Sequence, residues 1–219
     1  MAKLAPSLLS ADFTKLGEQI DVLKDKGVSY LHFDVMDGIF VPNISIGIPV
    51  LQSIRAYTDM ILDVHLMITE PERYIDAFAS AGADIINIHY EATQKHTEIF
   101  ERIRQLGKTP AVTIKPKTDW HDILPLLKYV DMVLVMSVEP GFGGQSFIPS
   151  SLDTVKALAE YRRSEKLNFD IEIDGGINLN NAAEVISAGV DIVVAGSSVF
   201  CKGDLAEQTD KFMGIVEKR

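Results

Sequence analysis

A chain of 219 residues with 47% hydrophobic side chains and a mean hydropathy of +0.12 has enough apolar mass for one large domain core. Its formal net charge of −10 excludes a general nucleic-acid-binding surface, so an anionic substrate has to be held by local groups rather than by the overall field. Cys201 is the single cysteine, which excludes an internal disulfide; the first residues, Met-Ala-Lys-Leu-Ala-Pro, form no signal-like apolar stretch, and the apolar run 132–136 is far too short for a membrane span. A cytoplasmic protein with no membrane and no nucleic-acid partner is expected.

The first predicted strand covers 3–8. Behind Asp12, a suitable N-cap, the apolar residues Phe13, Leu16, Ile20 and Leu23 recur at helical spacing and predict the first helix, which Gly27 closes. Short β-branched runs then alternate with helical segments: strands at 30–35, 61–66, 84–89, 109–114, 131–136, 170–173 and 191–195, and helices at 49–57, 71–81, 94–106, 120–127, 151–164, 180–188 and 205–217. Pro71 is tolerated in a first turn, Asn178 is a second candidate N-cap, and Gly82, Gly107 and Gly189 suit helix C-termini. Ala81-Gly-Ala-Asp84 and Ala188-Gly-Val-Asp191 repeat one helix-to-strand connector, which Lys26-Gly-Val-Ser29 resembles.

Alternation of this kind requires parallel strands joined by crossovers. Eight βα units in one chain of this length predict an α/β fold, a closed (β/α)8 TIM barrel, as a single domain over 1–219. The competing architecture, an open doubly wound sheet, gathers its binding signals around one switch point; here they follow at least five strands.

Four polar residues stand near the C-terminal ends of three strands: His32 and Asp34, His65, and Asp174. Alternation puts His32, Asp34 and Met36 on one face, and His65 with Met67 on one face of the next strand. Carboxylates there line the barrel mouth and require a partner, which one divalent cation supplies to all four residues. Two imidazoles with carboxylates suit zinc first, then iron, cobalt or manganese, better than magnesium or calcium. Asp63 and Glu172 share parity one layer deeper, either as groups orienting the ligands or as buried structural charges; the second reading is slightly favoured, and for His89 a structural role is favoured.

Glycines mark three consecutive strand-to-helix loops: Gly141, Phe142, Gly143 and Gly144 after the sixth strand, Gly175 and Gly176 after the seventh, Gly196 with Ser197 after the eighth. Glycine lets backbone N–H groups approach an anion, and barrels often hold phosphate at this position. No lysine or arginine lies in these loops, so the amides and helix dipoles would carry the phosphate. The sixth loop has the glycine content of a lid, with Phe142 either covering the ligand or packing locally.

These motifs resemble the ribulose-phosphate 3-epimerase family from Ala5 to about Phe200. The matching segments are Ala5-Pro-Ser-Leu-Leu-Ser-Ala-Asp-Phe13, His32-Phe-Asp-Val-Met-Asp-Gly38, Phe40-Val-Pro-Asn43, Asp63-Val-His-Leu-Met67, Met136 with Gly141-Phe-Gly-Gly-Gln-Ser-Phe147, and Asp174-Gly-Gly-Ile-Asn178. The resemblance implies interconversion of ribulose 5-phosphate and xylulose 5-phosphate. It implies metal ligation by His32, Asp34, His65 and Asp174, with Asp34 and Asp174 as the acid–base pair. It further implies substrate contacts from Ser7, His65 and Asp174, from Met36, Met67 and Met136, and from the glycine loops. Without it, the three methionines read as core residues. The sequence departs in Gly47-Ile-Pro49, where Gly-Pro-Pro is common.

Three other readings remain open at this stage. A sister family shares the ligands and epimerises a phosphorylated hexulose such as allulose 6-phosphate. Related decarboxylases carry Asp-x-Lys-x-x-Asp, whereas Asp34-Val-Met-Asp37 has no lysine between its acids. A non-catalytic sugar-phosphate sensor would bind ligand without metal or proton exchange. In all of these the partner is a small sugar phosphate, and a homo-oligomer is expected.

Overall fold

The computed structural model describes residues 1–217. Eight parallel strands run in the order β1-β8-β7-β6-β5-β4-β3-β2. They are β1 (Lys3–Pro6), β2 (Tyr30–Met36), β3 (Ile61–Met67), β4 (Ile85–His89), β5 (Thr109–Ile114), β6 (Met132–Met136), β7 (Asp170–Asp174) and β8 (Ile192–Ala195). The two ends of that order meet through one parallel bridge, Ser7 to His32, which turns the sheet into a barrel. Helices α1 (Leu16–Asp25), α2 (Ile48–Tyr57), α3 (Ile75–Ala81), α4 (His96–Gln105), α5 (Ser151–Ser164), α6 (Ala182–Ala188), α7 (Ser197–Phe200) and α8 (Leu205–Val216) cover the outside. This is the (β/α)8 barrel expected from the alternation. Among the described residues no helix is long and apolar enough to cross a membrane.

Local chemistry explains where elements begin and end. The first strand stops at Pro6, two residues earlier than predicted, because the chain turns into a 3-10 segment, Leu8–Ser10, capped by the Ser7 hydroxyl accepting from the Leu9 N–H. Asp12 caps as predicted, but it caps a 3-10 turn, Phe13–Lys15, that precedes α1. Pro71 opens a separate 3-10 turn before α3. After β5 the predicted helix is a 3-10 segment, Trp120–Leu126, with Pro125 inside it; that ring removes a donor and crowds the preceding turn of an α-helix. Asn178 does not cap α6: its side chain accepts from the Asn180 N–H, and the helix starts only at Ala182.

Two apolar layers hold the scaffold. The larger core, with Phe33, Phe100, Leu62, Val133 and Phe212 fully buried, lies between strands and helices. A smaller cluster of Ala5, Tyr30, Ile85, Ala111, Met132, Ile192 and Val194 fills the barrel's interior. The inner faces of β2, β3 and β7 also bury His32, Asp63, His65 and Glu172. Such groups are costly to bury without partners; His32 pairs with Asp63 and His65 with Asp34, whereas Glu172 is left without a hydrogen bond.

Candidate active site

Strand register assembles the polar cluster. Between β2 and β3, His32 stands beside Asp63, Asp34 beside His65, and Met36 beside Met67. Between β6 and β7, Met136 stands beside Asp174. Parallel partners share a face, so these pairs form layers that climb toward the mouth. Ser7 enters from the closing seam, and its hydroxyl donates to Asp34 Oδ2 at 2.6 Å.

His32, Asp34, His65 and Asp174 are brought together, with one donor atom from each lying within 4.8 Å of all the others. Asp34 Oδ1 is 3.3 Å from His32 Nε2 and 3.2 Å from His65 Nδ1. His32 Nε2 is fully enclosed yet makes no hydrogen bond. Its ring is oriented from behind by Asp63, whose Oδ2 lies 2.6 Å from His32 Nδ1. An oriented imidazole with its second nitrogen left over among carboxylates fits a cation site in which the outer carboxylate fixes the tautomer. The four side chains could thus hold a divalent metal ion.

The surrounding groups differ in how fully they are satisfied. Both Glu172 oxygens lack a hydrogen-bond partner, although Oε1 lies 3.7 Å from His32 Nδ1. Burial and the neighbouring charge of Asp63 push the Glu172 carboxyl well above the usual range, which favours its neutral form. Asp63, by contrast, orients His32, the role that sequence alone placed slightly second. His89 contacts the cluster directly: its Nε2 is 2.9 Å from His65 Nε2, and its Nδ1 is 3.1 Å from Glu91 Oε2. Burial holds the His89 imidazole down, to about 4, despite Glu91. It is therefore neutral near pH 7.

The two candidate acid–base residues have opposite electrostatics. Burial opposes ionisation of Asp34, but His32 and His65 outweigh it and hold that carboxyl far below the ordinary range. Burial, then the charge of Asp34, raises Asp174 to about 6. One carboxylate is thus firmly ionised and its counterpart is poised to carry a proton, an arrangement suited to proton transfer between them and a substrate.

Above the cluster opens a cavity of about 210 Å³. Every residue expected to touch substrate lines it except His65, which with His32 lies buried in the floor: Ser7, Asp34, Met36, Met67, Met136, Gly141, Phe142, Gly143, Gly144, Asp174, Gly175, Gly176, Gly196 and Ser197. Gly176 has a φ of +67°, and a Cβ there would strike the Phe147 backbone nitrogen, so only glycine lets the sixth and seventh loops meet. Gly196 is the N-cap of α7 and supplies no side-chain hydrogen bond to its first turn. The sixth loop is held at both ends: Asn43 Nδ2 donates to the Gly141 carbonyl, and Gln145 Nε2 to those of Glu139 and Phe142. Phe142 is 54% exposed at the rim.

Residues outside the predicted set also line the cavity, among them the polar side chains of Ser10, Gln145, Asn178 and Lys202. Gln145 and Asn178 lie inside the segments that carry the family resemblance, which was a usable signal. Lys202 lies beyond the three loops, and only the turn after α7 carries it to the rim. Asp37, the second acid of the decarboxylase comparison, accepts from the Ile39, Phe40 and Thr69 N–H groups and the Thr69 hydroxyl, so it serves the loop rather than the cavity.

Residues 3–200 match the family model described as the ribulose-phosphate 3 epimerase family. The chain is 47% identical over 206 residues to a ribulose-phosphate 3-epimerase of Synechocystis, covering 93% of this chain and 90% of that one. It is 44% identical over 215 residues to the Bacillus subtilis protein of the same name, covering 98% and 99%. Among solved structures, 3-hexulose-6-phosphate synthase from Salmonella typhimurium superposes with a TM-score of 0.76 at 18% identity, covering 99% of each chain. That likeness shows the barrel fold alone.

Proposed function

The chain belongs to the ribulose-phosphate 3-epimerase family, and from that premise we propose that it inverts C3 of a ketopentose 5-phosphate, interconverting D-ribulose 5-phosphate and D-xylulose 5-phosphate. It is an isomerase acting on a sugar phosphate. The observation that carries the reading is the convergence of Asp34 from β2 and Asp174 from β7 at the floor of one glycine-lined cavity, with the first held ionised and the second raised to about 6, within reach of either protonation state.

Inversion next to a carbonyl needs a base on one face of the carbon and an acid on the other. Asp34 takes the C3 proton; the C–H electron pair moves into the C2–C3 bond, and negative charge develops on the carbonyl oxygen. Asp174 delivers its proton to C3 from the opposite side. The roles exchange in the reverse direction. Ser7 holds Asp34 in place by donating to Oδ2. Met36, Met67 and Met136 give the planar enediolate an apolar, polarizable wall that excludes water. The phosphate lies against the amides of Gly175, Gly176, Gly196 and Ser197 under Gly141, Phe142, Gly143 and Gly144, with Lys202 adding a positive charge at the rim.

His32, Asp34, His65 and Asp174 would hold one divalent cation, zinc first and iron, cobalt or manganese as alternatives. When bound, that ion supplies Lewis-acid stabilisation of charge growing on the substrate oxygens. The free, exposed Cys201 suits a reducing compartment, and we assign the protein to the cytoplasm. A homo-oligomer, the state expected from the sequence, is tested directly by sedimentation velocity.

Turnover in heavy water tests the reaction. Deuterium should enter C3 of the ketopentose phosphate, while a hexulose 6-phosphate is a poor substrate under the same conditions. Epimerisation without solvent label would overturn the proton-transfer mechanism, and preference for the hexulose would overturn the substrate.

A further inference from the structure

We propose that Glu91 is a positioning residue that acts through His89 to fix which nitrogen of His65 faces the metal. This rests on the reading of His65 as a ligand and names what sets its orientation.

Hydrogen positions follow one from another along a buried chain. Glu91 closes it at the outer end. Its Oε1 receives the Lys115 backbone N–H at 2.9 Å and the Thr118 hydroxyl, and its Oε2 lies 3.1 Å from His89 Nδ1. A carboxylate only accepts, so His89 Nδ1 carries the hydrogen. His65 Nδ1 is the nitrogen that points into the four-residue cluster, so as a ligand His65 keeps its hydrogen on Nε2, and the facing His89 Nε2 offers the lone pair. That nitrogen faces His65 Nε2 at 2.9 Å, and of two nitrogens so placed only one can bear hydrogen. With a cation in the cluster, His65 Nε2 is therefore the donor and Nδ1 would offer its lone pair to the ion, beside Asp34 Oδ1, which is 3.2 Å from it.

The surroundings preserve this order. His65 and His89 are both fully buried, so water does not compete for their nitrogens. Their rings stack at 5.0 Å and 29°, and Phe40 covers His89 with centroids 4.8 Å apart. Lys115 Nζ lies 3.9 Å from the centroid of the Phe40 ring, capping the stack. His32 reaches the same end by a shorter route, with Asp63 directly on its Nδ1 and Nε2 left over. The two imidazoles thus offer opposite nitrogens, one oriented directly and one by relay.

Glu91→Gln tests the relay with almost no change of shape. The oxygen of the introduced amide stays with Lys115 and Thr118, which turns its NH2 group toward His89 Nδ1. His89 must then accept there and donate from Nε2, and the His65 hydrogen moves to Nδ1, where it blocks ligation. Titration of the metal-free protein with cobalt(II) against a competing chelator should show affinity weakened about 10- to 100-fold. The visible spectrum of the cobalt-loaded protein should change, while the unfolding midpoint of the metal-free variant stays near that of the parent. His65→Asn, measured alongside, separates the two claims. Unchanged cobalt affinity in His65→Asn removes the ligand reading itself; loss there with parental affinity in Glu91→Gln overturns the relay alone. Nitrogen-15 NMR of the zinc-loaded parent gives the answer without any variant. Hydrogen on His89 Nδ1 and His65 Nε2 supports the relay, and hydrogen on His89 Nε2 overturns it.

Discussion

Asp34 and Asp174 are the same residue type at the ends of two strands of one barrel, yet their settings are opposite. Asp34 is 3% exposed, accepts from Ser7 at 2.6 Å, and has His32 and His65 within 3.3 Å. Asp174 is partly exposed to the cavity, and among the described residues it receives no hydrogen bond on its carboxylate. The strands supply position in both cases; the neighbours decide protonation. A fold can thus make a base and an acid from one side chain by surrounding the first with donors and leaving the second facing an anion.

The largest effect expected from that contrast is on turnover. Asp34→Asn and Asp174→Asn should each lower kcat/KM by roughly 10³-fold or more, measured in both directions of the reaction. Full activity in either would break the pairing of roles.

Stability should separate the two residues where activity does not. The folded pKa of Asp174, about 6, lies above its ordinary 3.8. Its contribution to stability is therefore complete at acid pH and lost as pH rises through about 6. Asp174→Asn should accordingly stabilise the metal-free protein at pH 8, by up to the order of 3 kcal/mol, with no gain at pH 4. Asp34→Asn should show the reverse sign, because the depressed pKa of Asp34 contributes stability above about pH 4. Chemical denaturation of the metal-free proteins at the two pH values checks both.

A smaller effect is expected from the donor that serves Asp34. Ser7→Ala removes a hydrogen bond to a charged oxygen and should reduce kcat/KM roughly 10-fold, with the acid limb of the pH–rate profile moved upward. Smallest is Lys202→Ala, at a residue lining the cavity. It should raise KM a few-fold at low salt with kcat unchanged, because an exposed charge is screened by solvent. A change in kcat would place Lys202 beside the reacting atoms rather than at the rim.

The elements legible from sequence are those set by local periodicity. Eight strands emerge from short β-branched runs, and parity along β2 and β3 points His32, Asp34 and His65 toward one centre without coordinates. Register is not legible, since nothing in either strand states that His32 lies beside Asp63 rather than Val64. For that reason Asp63 reads from sequence as a structural charge, and His89, whose relation to His65 depends on ring orientation, reads as structural too. Lys202 escapes for a different reason: its approach to the cavity depends on the turn after α7, a tertiary accident with no periodic signature. The 3-10 segment after β5 is written in the sequence, in Pro125, but the apolar spacing around it resembles a helix.

The ring itself has a seam. Seven of its junctions are ladders, whereas β1 meets β2 through the lone bridge of Ser7 and His32. Those residues also belong to the candidate site, Ser7 by donating to Asp34 and His32 by its place in the four-residue cluster. Circularisation of the sheet and completion of the candidate reaction chamber therefore depend on one junction: with β1 unpaired from β2, the ring stands open and Ser7 no longer reaches Asp34.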